Sequence, residues 1–141
     1  MKKILLVEDN AMNRDMLSRR LKRKGFDVVL AVNGTQGVEM AFSESPDLIL
    51  MDMNLPDIDG WEATRQIRIR EKNLGKEIEP EQVSGKRLIK GQSILIIAVT
   101  AHATTLDFKK AIDAGCDQYE SKPVQLNSLL DKINVLLEVN T

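Results

Sequence analysis

Four short runs constrain this chain more than anything else in it. Residues 4–7, 28–32, 48–51 and 94–99 consist only of Ile, Leu, Val, Ala and Met, with no alternation of polar and apolar positions. A strand with one wet face alternates, whereas a strand apolar throughout is buried on both faces, as in a parallel sheet covered by helices. Residues 118–121 are a weaker fifth candidate. Helical spacing fills the intervals. Met12, Met16, Leu17 and Leu21 form the apolar stripe of a first helix, with Gly25 as its stop. Thr35 is expected to cap a second helix with Val38, Ala41 and Phe42 on its inner face. A third spans about residues 61–70, a fourth about 106–114 before Gly115, and Leu126, Leu129, Leu130, Ile133, Leu136 and Leu137 mark a fifth. Alternating strand and helix gives an α/β fold, a doubly wound five-stranded parallel sheet with helices on both faces.

At 141 residues the chain suits one domain, 1–141, with a proper core. Its net charge of −1 gives no pull toward nucleic acid. The basic run Arg19, Arg20, Lys22, Arg23 and Lys24 lacks interleaved aromatics and reads as a solvated helical face. No apolar run approaches the ~20 residues of a membrane span. Cys116 is the one cysteine, which fits a cytoplasmic setting. One stretch is out of scale. Residues 71–92 join the third helix to the fourth strand where about 2–6 residues are usual, and they are rich in charge and glycine. They are expected to form an inserted surface loop.

In an open α/β sheet, ligands bind beyond the carboxyl ends of the strands. Those ends here carry Glu8 and Asp9, Asp52, Thr100, and Lys122 with Pro123. Three carboxylates on one rim repel: two unit charges ~4 Å apart cost about 4 kcal/mol at an effective dielectric near 20. Such a rim retains a proton or holds a hard cation such as Mg²⁺. A cation there neutralises an incoming phosphoryl group for attack by a carboxylate, with Lys122 and Thr100 meeting phosphoryl oxygens. Any of these residues alone is more often a turn, a cap or a solvated side chain. Their joint placement at strand ends carries the weight.

The segments ILLVEDNAMNR (4–14), PDLILMDMNLPDIDGWEATRQIR (46–68), ILIIAVTAHA (94–103) and AGCDQYESKPV (114–124) resemble the receiver domain of bacterial response regulators, of the stand-alone type. The resemblance implies a flavodoxin-like fold. It implies Asp52 as phosphoacceptor, and Mg²⁺ (or Mn²⁺) held by Glu8, Asp9, Asp52 and the backbone carbonyl of Asn54. Thr100 and Lys122 would meet the phosphoryl group, Thr100 and Tyr119 would act as switch residues, and Lys122–Pro123 would be a cis bond. Gly60 is expected to supply a turn with φ > 0. The donor would be a sensor histidine kinase or a histidine phosphotransfer protein. The output would be an unidentified protein, with neither nucleic acid nor membrane insertion involved. On this reading the chain is a phosphoacceptor module with slow self-dephosphorylation, not a turnover enzyme.

Three other readings are weighed. A phosphohydrolase with an Asp nucleophile needs a second Asp where Asn54 stands. A dinucleotide-binding module needs a glycine-rich turn where Glu8, Asp9 and Asn10 stand. A docking-only receiver would not need a complete pocket. His102 is either a plain loop residue or one that tunes access of water to the acyl phosphate. Met12 and Met16 are read as core, Cys116 as a small core or loop residue and not a nucleophile, and Trp61 as packed at, or partly exposed beside, the start of the third helix.

Overall fold

The computed structural model describes residues 1–77, 93–101 and 105–139, so residues 78–92 of the expected insertion and His102 lie outside the described residues. The elements run β1 (Lys3–Val7), α1 (Ala11–Arg23), β2 (Asp27–Ala31), α2 (Gly34–Ser43), β3 (Leu48–Asp52), α3 (Gly60–Glu77), β4 (Leu95–Thr100), α4 (Thr105–Ala114), β5 (Gln118–Ser121) and α5 (Leu126–Val139). The five strands form one parallel sheet in the order β2-β1-β3-β4-β5.

The strands are apolar throughout because each feeds two cores. Leu5 and Val7 of β1, Ile49 and Met51 of β3, and Ile96 and Ala98 of β4 pack with residues of α2, α3 and α4. Ile4 and Leu6, Leu48 and Leu50, and Leu95 and Ile97 point the other way, toward Leu21 of α1 and Leu129, Ile133 and Leu137 of α5. Successive strand side chains alternate faces, so a strand covered on both sides has no polar position to spare. The chain leaves β1 toward β2 and returns over it to β3. The reversal puts the C-terminal ends of β1 and β3 side by side, where such sheets bind ligands.

Helix ends follow local chemistry. The Asn10 side chain accepts from Asn13 N at 3.0 Å and Asn33 from Gln36 N at 2.7 Å, so each satisfies an orphan amide of a first turn. The cap of α2 is thus Asn33, not Thr35, whose amide instead donates to Asp57 at 2.9 Å. Gly25 (φ +96°) follows α1, and Gly115 (φ +112°) follows α4.

Further expectations are corrected. Met12 and Met16 are 77% and 46% exposed; α1 buries Leu21 and Ser18 instead. At 100° per residue Met12 lies about 180° and Met16 about 140° round the helix from Leu21, so the four apolar residues do not share one face, and the sheet covers the side of Leu17 and Leu21. The third helix also continues to Glu77, past the residue 70 expected. Its extension is held by polar contacts that apolar periodicity does not register. Arg68 donates to Glu71 at 2.8 Å, to the Gly115 carbonyl at 2.9 Å and to Asp117 at 3.1 Å. Glu71 and Asp117 in turn accept from the amides of Ile94 (2.6 Å) and Ile96 (2.8 Å). The network fastens the C-terminal half of α3 to the start of β4.

Gly60 has no positive φ; its need is space. A Cβ there would lie 2.3 Å from the Asp52 carbonyl oxygen and 2.6 Å from Met53 Cε. Gly60→Ala is expected to destabilise the fold by about 1–3 kcal/mol, the usual cost of overpacking, seen as a lower urea midpoint with unchanged slope. Parental stability would show that the loop does not approach Asp52 this closely.

Candidate functional site

Asp52 ends β3 and is 3% exposed. One of its oxygens, Oδ1, accepts from the Asn54 amide at 3.0 Å and from Lys122 Nζ at 3.0 Å. Lys122 comes from the turn after β5, just before the Lys122–Pro123 bond, which is cis. Its amide is fixed by the Thr100 carbonyl at 2.8 Å, and its ammonium also lies 3.9 Å from Glu8 Oε1. The buried carboxylate therefore has a cation in direct contact, which offsets part of its desolvation.

Glu8 and Asp9 follow β1. Glu8 is buried and Asp9 exposed, and each can offer an oxygen that, with one of Asp52, forms a cluster within 4.8 Å. Burial is the main cause that pushes the Glu8 carboxyl up to about 7. A hydrogen bond shared with Asp52 adds to it; the Asn10 amide and Lys122 oppose it. Buried beside Asp52, Glu8 tends to keep a proton, and three carboxylates face one lysine. An all-oxygen donor set with surplus negative charge is what a hard divalent cation requires, and these residues fit one.

The remaining expected residues fall around this centre. Thr100 ends β4 and is 3% exposed, and its carbonyl holds Lys122. Asn54 is exposed in the loop after Asp52. Tyr119 sits one strand over, half-buried, with its ring edge-on to Phe108 at 4.7 Å. Glu8, Asp9, Asp52, Lys122 and Thr100 converge on the rim, whereas Tyr119 stands behind it on β5. Cys116 is buried against Thr64, and burial pushes its thiol up to about 11, so it is no nucleophile at neutral pH. Trp61 is half-buried at the start of α3 beneath Lys110, whose ammonium lies 4.4 Å from the ring centre.

Two positioning side chains were not anticipated. Arg14 Nη1 donates to the carbonyls of Glu8 (2.8 Å) and Asp9 (3.2 Å), bracing the loop that bears the acidic pair. An arginine one turn into the helix behind an acidic loop is a signal that sequence reading can use. Asp57 reaches from the β3–α3 loop to the first amides of α2, accepting from Gly34 at 2.8 Å and Thr35 at 2.9 Å. Hydrogen bonds, that from the Thr35 side chain foremost, hold its carboxyl well below the usual carboxylate range. Nothing in the local sequence signals so distant a partner.

A groove of about 570 Å³ opens from the carboxylates along α1, floored by Met16, Leu17, Val124 and Leu126 and bordered by Arg20. Among the described residues no helix is long and apolar enough to cross a membrane.

Similarity to known proteins agrees with this geometry. The chain is 39% identical over 145 aligned residues to hybrid signal transduction histidine kinase G of Dictyostelium discoideum, covering 99% of this chain and 4% of that protein. It is 34% identical to the response regulator ArlR of Staphylococcus saprophyticus, covering 97% of this chain and 53% of that one. The chain thus spans only a small part of the hybrid kinases and about half of ArlR, and such relatives occur in both eukaryotes and bacteria. Among solved structures, the complex of the Saccharomyces cerevisiae histidine phosphotransfer protein Ypd1 with the receiver domain of its downstream response regulator Ssk1 matches with a TM-score of 0.81. The identity is 36%, covering 94% of this chain and 86% of that one. Residues 4–77 match the response regulator receiver domain family, and this chain belongs to that family.

Proposed function

We propose that Asp52 accepts a phosphoryl group from the phosphohistidine of a sensor histidine kinase or a histidine phosphotransfer protein, and that the modified domain then signals through contacts with another protein. The observation that carries this reading is the placement of Asp52: a buried strand-end carboxylate, ion-paired to Lys122 and within ligand distance of Glu8 and Asp9. The solved complex of a similar receiver domain with a phosphotransfer protein supports the choice of donor. Such a donor has to cover the mouth of the pocket, and the groove along α1 offers it an apolar floor.

Glu8, Asp9, Asp52 and the carbonyl of Asn54 would hold Mg²⁺, or Mn²⁺ in its place. When bound, the ion supplies neutralising charge to the phosphoryl oxygens and aligns them for in-line displacement. The rest falls to the protein. A carboxylate oxygen of Asp52 attacks phosphorus; the P–N bond of the donor breaks, and its electron pair stays on the imidazole nitrogen. Lys122, already paired with Asp52, stays beside the new acyl phosphate and balances part of its charge. Thr100 donates its hydroxyl to a phosphoryl oxygen, and Tyr119 turns inward behind it. The domain thereby becomes a two-state element biased by a local charge event. Slow hydrolysis of the acyl phosphate resets it. The setting is the cytoplasm, where Cys116 remains a buried free thiol.

Incubation with acetyl phosphate and Mg²⁺ is expected to add one phosphoryl group, visible by mass spectrometry of the intact protein. Chelation of the metal or Asp52→Asn should abolish labelling, and continued labelling of Asp52→Asn would sink the assignment. Lys122→Ala should slow labelling by about 10²-fold or more, the scale for losing one charge-stabilising group; a rate within threefold of the parent would remove Lys122 from the mechanism.

The raised Glu8 carboxyl also sets a pH dependence in metal-free buffer. The folded state keeps a proton there that the unfolded chain, with a pKa near 4.5, has released. Between about pH 4.5 and 7 the folded state binds more protons, so the Glu8 contribution falls as pH rises and levels off above about 7. Its slope is at most about 1.4 kcal/mol per pH unit. Urea titrations of the parent and Glu8→Gln should differ by this slope; parallel profiles would show that Glu8 titrates normally.

A further inference from the structure

Among the described residues, Glu120 is a buried carboxylate that the mechanism does not use. Glu120 of β5 is 4% exposed, next to Tyr119 but pointing to the opposite face of the sheet, toward α5. Lys132 Nζ donates to its Oε1 at 3.1 Å, and Ser128 Oγ to both oxygens at 3.0 and 3.2 Å. A buried ion pair contributes little net stability against an apolar replacement, so its geometry is the more informative property.

That geometry concerns Tyr119. β5 is an edge strand, and the Tyr119 carbonyl accepts from Lys132 Nζ at 2.7 Å. The same ammonium lies 5.4 Å from the centre of the Tyr119 ring, within the range of a cation–π contact. Tyr119 packs with the core under α2, α3 and α4, while Lys132 springs from α5 on the other face. The lysine therefore reaches round the sheet edge to touch backbone and ring together, with Glu120 fixing where its charge sits. Phe108 of α4 meets the ring edge-on. The ring is held from α4 and α5 at once.

We propose that Lys132, anchored by Glu120, is a positioning residue that holds the Tyr119 ring in its resting place and so raises the threshold for switching. The threshold rests on Tyr119 moving as described under Proposed function; the restraint itself does not. A cation–π contact of this kind corresponds to roughly a 2–5-fold change in an equilibrium. By linkage, the same factor enters the affinity for any ligand that favours the inward ring.

Tyr119 is the only tyrosine in the chain, so ring signals from tyrosine-labelled protein report on it alone. Lys132→Met removes the cation. The double variant Glu120→Gln, Lys132→Met removes it without leaving a buried charge, which guards against simple unfolding. Lys132→Arg keeps the charge. Both neutral variants are expected to shift the ring signals in mimic-free protein and to bind beryllofluoride with Mg²⁺ roughly 2–5-fold more tightly, while Lys132→Arg stays near the parent. Unchanged ring signals, or a beryllofluoride affinity that stays level or falls, would overturn the proposal and leave only a tether whose loss lowers thermal stability. If the parent itself binds no beryllofluoride, the phosphoacceptor reading fails, and the ring signals still decide whether Lys132 restrains Tyr119.

Discussion

Lys122 Nζ meets Asp52 Oδ1 at 3.0 Å across the width of β4, joining the end of β5 to the end of β3. A carboxylate 3% exposed at a sheet rim is costly without such a partner, and removing one half of a buried ion pair is costlier than never having had it. The contact needs three strands in register and a chain that turns back just beyond Ser121, where Thr100 holds the Lys122 amide. Sheet order and site chemistry are therefore one requirement. Lys122 balances only part of the charge, and burial, with Asp52 adding to it, holds the Glu8 carboxyl above its ordinary range.

The loops that carry the acidic residues are braced from outside the pocket. Arg14 grips the carbonyls of Glu8 and Asp9, Asp57 ties the β3–α3 loop to the start of α2, and Gly60 lets that loop lie against Asp52. Gly34 matches Ile58 with equal closeness, since a Cβ there would fall 2.5 Å from Ile58 Cγ1. Each brace uses backbone groups or the absence of a side chain. The carboxylates stay free for chemistry while their supports hold them in place, which is the preorganisation that phosphoryl transfer depends on.

What the sequence shows and what it hides divide along a physical line. The strands are legible because burial on both faces leaves a composition that little else produces. The rim is legible because strand ends of a parallel sheet must converge, so Glu8, Asp9, Asp52, Thr100 and Lys122 could be assembled before any coordinates. Long-range polar contacts are hidden. Glu71 looks like loop until Arg68 and the Ile94 amide are seen to hold it in a helix. Asp57 looks like a turn residue until Gly34 and Thr35 are found beside it. Spacing by three and four marks α1 as a helix, but Met12 and Met16 fall on the side away from Leu17 and Leu21, and the sheet covers only the latter.

That exposure has its own logic. Met16 and Leu17 floor a groove that begins at the carboxylates and ends near Arg20, so an open apolar surface adjoins the acidic pocket. An exposed apolar patch rimmed by polar groups marks a contact site more often than a packing error, and flexible methionines adapt to more than one partner shape. Tyr119 lies toward the other edge of the sheet, clasped between α4 and α5. A donor can thus cover the rim and α1 without touching the Tyr119 edge. The acidic pocket and the Tyr119 edge are thus separate surfaces of one sheet that is buried on both faces.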